Sequence, residues 1–274
     1  ALNVGGKRLR PFLVLCSGQC FAEINMQMIA AAVAVELVHA ASLIHDDIID
    51  GSELRRNKPS MNKAIGNKLS VLCGDFLFAK AISILNDSNL IECLNVLAEA
   101  IRGMCEGEII QMNAAYNVDI SEYEYRNIIN LKTGMLISAS CRIGAMVADA
   151  DDRRINCMSE YGRCLGCAFQ IVDDILDFIG EPQVMGKPLW LDFERGNITL
   201  PLIILFRNKE YKENFLKFTD KNIHSPEIRK YFYEGLIKTG ALSYSYKIAS
   251  DFVATAIESI SHLPPCRYKD ALKD

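Results

Sequence analysis

Apolar residues recur at three- and four-residue spacings through 11–21, 28–48, 69–86, 89–115, 122–148, 153–178 and 198–207. That spacing puts them on one face of a helix, so each run predicts a helix that buries a stripe. Strand-like alternation is rare and short. Pro and Gly are sparse and cluster between the runs, at 51–59, 180–188 and 264–265, where they punctuate rather than interrupt. No low-complexity linker or shift of composition divides the chain, and no long internal repeat aligns. The pattern therefore predicts an all-α protein with one domain over 1–274. The stretch 28–44 is strongly apolar, but Glu36 and His39 lie within it. It is too short and too polar to span a bilayer, and it predicts a helix buried in a bundle with no membrane span.

Composition narrows the class. Half of the 274 residues are hydrophobic, enough for a sizeable core. A net charge of −4 argues against a general nucleic-acid binder. The ten cysteines are scattered, and no secretory leader precedes them, which points to the cytoplasm. Cys164 and Cys167 form one CxxC without a partner pair inside an apolar run. Helix packing explains it better than zinc or redox chemistry.

Two segments change the picture most. Asp46-Asp47-Ile48-Ile49-Asp50 is echoed by Asp173-Asp174-Ile175-Leu176-Asp177. Positions i and i+4 share a helical face, so Asp46 pairs with Asp50, and Asp173 with Asp177. One such motif reads as surface charge. Two in similar apolar frames read as a site. Helices facing each other across a cavity would form an acidic clamp whose carboxylates repel unless cations lie between them. Mg²⁺ suits such a clamp, because it binds through a few carboxylates and keeps room for waters and phosphates. Basic groups answer the acids: Lys7 and Arg10 in GGKRLRP, Arg55 and Arg56 after the first motif, Lys132 mid-helix and Lys187 after the second. An acidic cleft ringed by Lys and Arg fits a diphosphate, with metal bridging carboxylate to phosphate and Arg forks on the remaining oxygens. Two polar loops, 51–66 and 179–200, flank the aspartates and are the natural place for ligand groups.

GGKRLRP, LIHDDIIDGSELRRNKP, LKTG, FQIVDDILDF and GKPLWLDFERGNITLP, in this order, resemble the trans-isoprenyl diphosphate synthases, the polyprenyl synthetases. The resemblance runs from residue 5 to about 205 and is weaker beyond. With EGEIIQMNAAYN at 106–117, it lies nearest the long-chain branch that includes the catalytic subunit of heptaprenyl diphosphate synthase. It implies an isoprenoid-synthase helical bundle around a central cavity, with one or two further helices ahead of residue 1. It also implies a prenyl transfer. An allylic diphosphate loses pyrophosphate with Mg²⁺ assistance, the double bond of isopentenyl diphosphate attacks the cation, and a proton leaves with the pyrophosphate.

The same resemblance assigns roles. Asp46, Asp50 and Asp173 would ligate two or three Mg²⁺ ions, with Asp47, Asp174 and Asp177 behind them. Arg55, Lys132 and Lys187 would hold the allylic diphosphate. Lys7, Arg10, His39 and Arg56 would hold isopentenyl diphosphate. Thr133, Phe169 and Gln170 would face the cation with hydroxyl or carbonyl dipoles and a π face. Homodimers are implied, as is a heteromer with a small non-catalytic subunit.

The chain departs from the family loop GKPxGxDxxxGKxTxP at two places. Trp190 stands for a glycine, at the active-site mouth or on the surface, and Asn197 replaces a lysine. Product length depends on the depth of an apolar tunnel below the first motif. One helical turn rises about 5.4 Å, roughly one isoprene unit. Ala41 and Ser42, then Val38, therefore line the wall. They are small, and no aromatic floor is present, so a C30–C40 product is expected. A short-chain farnesyl or geranylgeranyl synthase and a subunit inactive without its partner are the alternatives. A terpene cyclase fits poorly, because GGKRLRP and the second aspartate motif would have no use there.

Overall fold

A computed structural model describes residues 7–55, 58–181, 189–219 and 225–274. It is built of helices: α1 Leu9–Gln19, α2 Met26–Ile49, α3 Met61–Ile65, α4 Asn67–Asp87, α5 Ile91–Asn113, α6 Glu122–Ile129, α7 Met135–Val147 and α8 Asp152–Ile179. Then come α9 Leu191–Glu194, α10 Leu200–Leu205, α11 Lys209–Thr219, α12 Pro226–Lys238, α13 Ala241–Ser261 and α14 Arg267–Lys273. Among the described residues the one sheet is a hairpin of two-residue strands, β1 Leu54–Arg55 and β2 Lys58–Pro59. The all-α class expected from periodicity holds.

The differences are local. The run 122–148 is not one helix. A π-helical turn, Asn130–Gly134, separates α6 from α7. The segment 51–66 is not a plain loop, since it folds into the hairpin and α3. Beyond 207 four helices form where the periodicity reading is silent. Their apolar stripes are interrupted by charges, as in KEYKENFLKFT of α11, so a narrow buried face hides in a polar sequence.

Local sequence explains the boundaries. Asn25 accepts a hydrogen bond from the Met28 N–H at 2.8 Å and starts α2. Ser121 and Glu124 form a reciprocal capping box at α6. Ser225 caps α12, with Pro226 in its first turn.

The described chain forms two compact units. One comprises Ala1–Arg102, Met135–Arg163 and Ala256–Asp274, the other Gly103–Gly134 and Cys164–Thr255. In the first, α2 packs most extensively on α4, and α1 packs on α7, α2 and α14. The second is built on a core of Ile171, Ile175, Phe178, Trp190, Phe193, Phe215 and Phe232 with α6 and α10 against it.

Among the described residues two helices, α2 and α4, are long and apolar enough to cross a membrane by length and composition. The length argument against α2 therefore fails, because the helix continues past residue 44 through the aspartates to Ile49. Its packing supplies the better argument. Ala34, Val35, Val38 and Ala41 are wholly buried within the first unit, as in the core helix of a globular bundle.

Candidate functional site

The first aspartate motif closes α2. The Asp50 N–H donates to the Asp46 carbonyl at 2.8 Å, which sets the two residues one turn apart at the helix end. Asp46 is half-buried and Asp50 exposed. Asp47 points elsewhere: it is 3% exposed, and both its oxygens accept from Arg55. Arg55 Nε lies 2.8 and 2.9 Å from them, and Nη2 lies 2.6 Å from one. Arg55 reaches back because the β1–β2 hairpin turns it toward α2. Hydrogen bonds from Asn62 to the Asp47 and Ser52 carbonyls tie α3 to the end of α2.

Lys7 is exposed, whereas Arg10, His39 and Ser42 are partly buried. Burial lowers Arg10 to about 10 against the opposing pull of Glu36, and its Nε has no hydrogen-bond partner. Among the described residues that one nitrogen has no acceptor. The Ser42 hydroxyl donates to the His39 carbonyl at 2.9 Å. Val38 and Ala41 are fully buried. Arg56 and Lys187 lie outside the described residues.

The second motif sits near the end of α8 and divides differently at its last position: unlike Asp50, Asp177 is buried, so it does not share an open face with Asp173 as the spacing predicts. Asp173 is half-buried, but Asp174 and Asp177 are 3% and 0% exposed. The Asp177 carboxylate accepts from the Leu191 and Asp192 N–H groups, each at 3.3 Å, and its carbonyl accepts from the Trp190 N–H at 2.9 Å. It therefore anchors α9, whose first N–H groups have no partner within so short a helix. Asp174 accepts from the Tyr125 hydroxyl at 2.6 Å and from Gln170 Nε2 at 2.8 Å. Burial and the Asp192 carboxylate push Asp174 well up, with a smaller push from Asp173, while Tyr125 and Gln170 pull it down. Burial and Asp174 likewise push the Tyr125 phenol well up, so it stays a donor.

Lys132 and Thr133 lie in the π turn, which widens the helix by one residue and re-aims both side chains. Lys132 Nζ is 2.5 Å from Glu108 Oε2 and donates to Gln111 Oε1 at 2.8 Å. The Thr133 hydroxyl donates to Gln170 Oε1 at 2.7 Å. Two glycines make the turn possible. A Cβ at Gly107 would lie 2.8 Å from Leu131 Cβ and Lys132 Cγ, and one at Gly166 would lie 2.8 Å from Gly134 Cα. Phe169, in contrast, is 51% exposed.

Trp190 is not on the surface. It is 6% exposed and packs edge-on against Phe178 and Phe193, at 5.0 and 5.3 Å between ring centroids. Its φ is 69°, in the left-handed region, which accounts for glycine at this place in the family pattern. Asn197 Nδ2 donates to Asp192 Oδ1 at 3.0 Å, an uncharged donor where a lysine would bring positive charge. Gly196 is required twice over: its φ is +75°, and a Cβ would strike the Tyr116 ring at 2.6 Å.

Sequence reasoning missed Tyr125, Glu108 and Gln111. The last two fall in EGEIIQMNAAYN, where their spacing already put both on one face of α5. Tyr125 carried no signal beyond a tyrosine among polar residues.

A divalent cation fits these residues. Asp46 and Asp50 offer hard oxygens one turn apart at the end of α2. Among the described residues, no group of three or more His, Cys, Asp or Glu could hold a metal.

Comparison with known proteins agrees. The polyprenyl synthetase family model matches residues 1–236. The chain is 34% identical to heptaprenyl diphosphate synthase component 2 of Bacillus subtilis over 99% of its length and 77% of that protein. It is also 34% identical to the geranylgeranyl diphosphate synthase of Sulfolobus acidocaldarius, over 94% and 81% of the two. The crystal structure of a decaprenyl diphosphate synthase from Rhodobacter capsulatus matches with a TM-score of 0.94 at 32% identity, covering all of this chain and 85% of that one. With both aspartate motifs in place on their helices and a family model spanning most of its length, this chain belongs to the polyprenyl synthetase family of prenyltransferases.

Proposed function

We propose that this protein condenses isopentenyl diphosphate with an allylic diphosphate, in the presence of Mg²⁺, to give an all-trans polyprenyl diphosphate of about C30–C40. The observation that carries this reading is the division of labour within each motif. Asp47, Asp174 and Asp177 are buried and committed to Arg55, to Tyr125 with Gln170, and to the start of α9. Asp46, Asp50 and Asp173 are the more accessible acids and would hold the ions. Bound Mg²⁺ would neutralise the charge that develops on the departing pyrophosphate.

The chain's own residues do the rest. Lys132, fixed by Glu108 and Gln111, binds the allylic diphosphate together with Arg55 and Lys187. Lys7, Arg10, His39 and Arg56 bind isopentenyl diphosphate. The allylic C–O bond breaks, the new C–C bond forms, and the proton goes to the released pyrophosphate. Thr133, Gln170 and Phe169 line the path of the cation. Ser42, small and only partly buried on α2, supports the long product, whereas Val38 and Ala41 are packed into the core with no accessible surface. The whole chain acts as one catalytic domain in the cytoplasm, as a homodimer.

A second reading has one specific support. Two of the similar proteins are named component 2 of their synthase, so the chain would require a small non-catalytic subunit.

The test is product sizing with Mg²⁺, farnesyl diphosphate and labelled isopentenyl diphosphate. A ladder ending near C30–C40, lost with EDTA and reduced roughly 100-fold or more in Asp46→Ala, is the expected result. A C15 or C20 stop would overturn the chain length. No product from the chain alone, with activity on adding a small subunit, would establish the second reading.

A further inference from the structure

Four side chains of the second unit form one line of hydrogen bonds: the Tyr125 hydroxyl donates to Asp174, the Gln170 NH₂ donates to Asp174, and the Thr133 hydroxyl donates to the Gln170 carbonyl oxygen. They come from α6, α8 and the π turn. We propose that Tyr125 is a positioning residue that fixes the polarity of this line and so presents Thr133 to the allylic cation as an acceptor alone. This rests on the condensation proposed above.

The argument is one of donors and acceptors. The Tyr125 hydroxyl occupies Asp174 Oδ2 at 2.6 Å. That leaves Oδ1 to be met by the Gln170 NH₂, at 2.8 Å. In the orientation the structure shows, Gln170 Nε2 donates to Oδ1; the reverse would set the amide oxygen against an oxygen that accepts here. With its NH₂ committed, Gln170 turns its carbonyl oxygen to Thr133, and that oxygen can only accept. The Thr133 hydroxyl must therefore donate, at 2.7 Å. A hydroxyl that has given its hydrogen away shows only lone pairs to anything else nearby. Lone pairs stabilise a carbocation, whereas an O–H pointed at it would oppose ionisation. Tyr125 is 4% exposed and so keeps its bond without competition from water. Without it, Asp174 can rotate, the Gln170 amide can invert, and the Thr133 hydrogen is released. Outer partners of this kind are worth about 10–100-fold in activity when removed.

The experiment is a double-mutant cycle on kcat and on KM for both diphosphates. Tyr125→Phe is expected to lower kcat about ten-fold and leave both KM values within about two-fold. In a Thr133→Val background, which has no hydroxyl to orient, the same Tyr125 change should move kcat by less than about two-fold. In Thr133→Ser, which keeps the hydroxyl, the ten-fold effect should return. A purely structural role for Tyr125 would give the same loss in all three backgrounds and would overturn the proposal, as would unchanged kcat in Tyr125→Phe. If that variant does not fold, Tyr125→Met, which also removes the donor, is held to the same three-background criterion. An inactive parent protein would instead sink the condensation reading, so the two failures are distinct.

Discussion

Trp190 sets two residue-level terms against each other. A non-glycine residue in the left-handed region costs roughly 1–2 kcal/mol. Trp190 accepts that cost at φ 69° because its indole fills the space between Phe178 and Phe193. Truncating a buried tryptophan costs about 3–5 kcal/mol, so packing wins. Trp190→Ala should lose about 4 kcal/mol, since it keeps the backbone strain and gives up the packing. Trp190→Gly should lose about 1 kcal/mol less, because glycine relieves the strain. Urea denaturation of both variants checks the order, and a glycine variant less stable than the alanine one would show that the backbone carries no strain there. This conflict could not be read from the sequence. A tryptophan in a glycine's place looks like an insertion at a mouth or on a surface until φ and burial are known together.

At the scale of elements, the π turn at Asn130–Gly134 does what no periodicity predicts. Apolar spacing from 122 to 148 reads as one helix, because a single extra residue shifts the stripe by less than the width of a buried face. The glycines that let the turn approach its neighbours, Gly107 and Gly166, lie on other helices far away in sequence. The Lys-Thr-Gly motif was thus legible as a candidate, and so were the aspartates at i and i+4. The reason Lys132 and Thr133 point as they do was not. Gly166→Ala tests the packing directly. Its Cβ would sit 2.8 Å from Gly134 Cα and 3.2 Å from the Thr133 carbonyl, so α8 and the turn must separate. Overpacking of this kind costs about 1–3 kcal/mol. Because Thr133 moves with the turn, kcat should fall at least ten-fold while the melting temperature drops only a few degrees. A stable, fully active Gly166→Ala enzyme would mean that the turn relaxes without consequence.

At the scale of the whole molecule, the remaining apolar surface asks for a partner. On α4, Leu69, Leu72 and Phe76 fall at i, i+3 and i+7, and Leu72 and Phe76 are 63% and 67% exposed. A stripe at that spacing is the apolar face of a helix on which none of the described residues fully packs. α4 also passes the length and composition test for a membrane helix, so two occupants compete: a second copy of the chain, or lipid. The sequence of α4 decides between them. Lys68, Asp75 and Lys80 lie along it, with Asp87 at its end, and charges at a bilayer centre cost several kcal/mol together. Its opposite side is occupied as well, since α2 packs on it through Gly74 beside the His45 ring. A helix with one face in the core and an apolar stripe on the other is built for protein contact, and a second copy supplies a self-complementary stripe. Sedimentation analysis should therefore give a dimer without detergent. Leu72→Glu combined with Phe76→Glu should shift it to monomer, by placing like charges where two stripes meet. A parent protein that sediments as a monomer in buffer and pellets with phospholipid vesicles would assign the stripe to lipid instead.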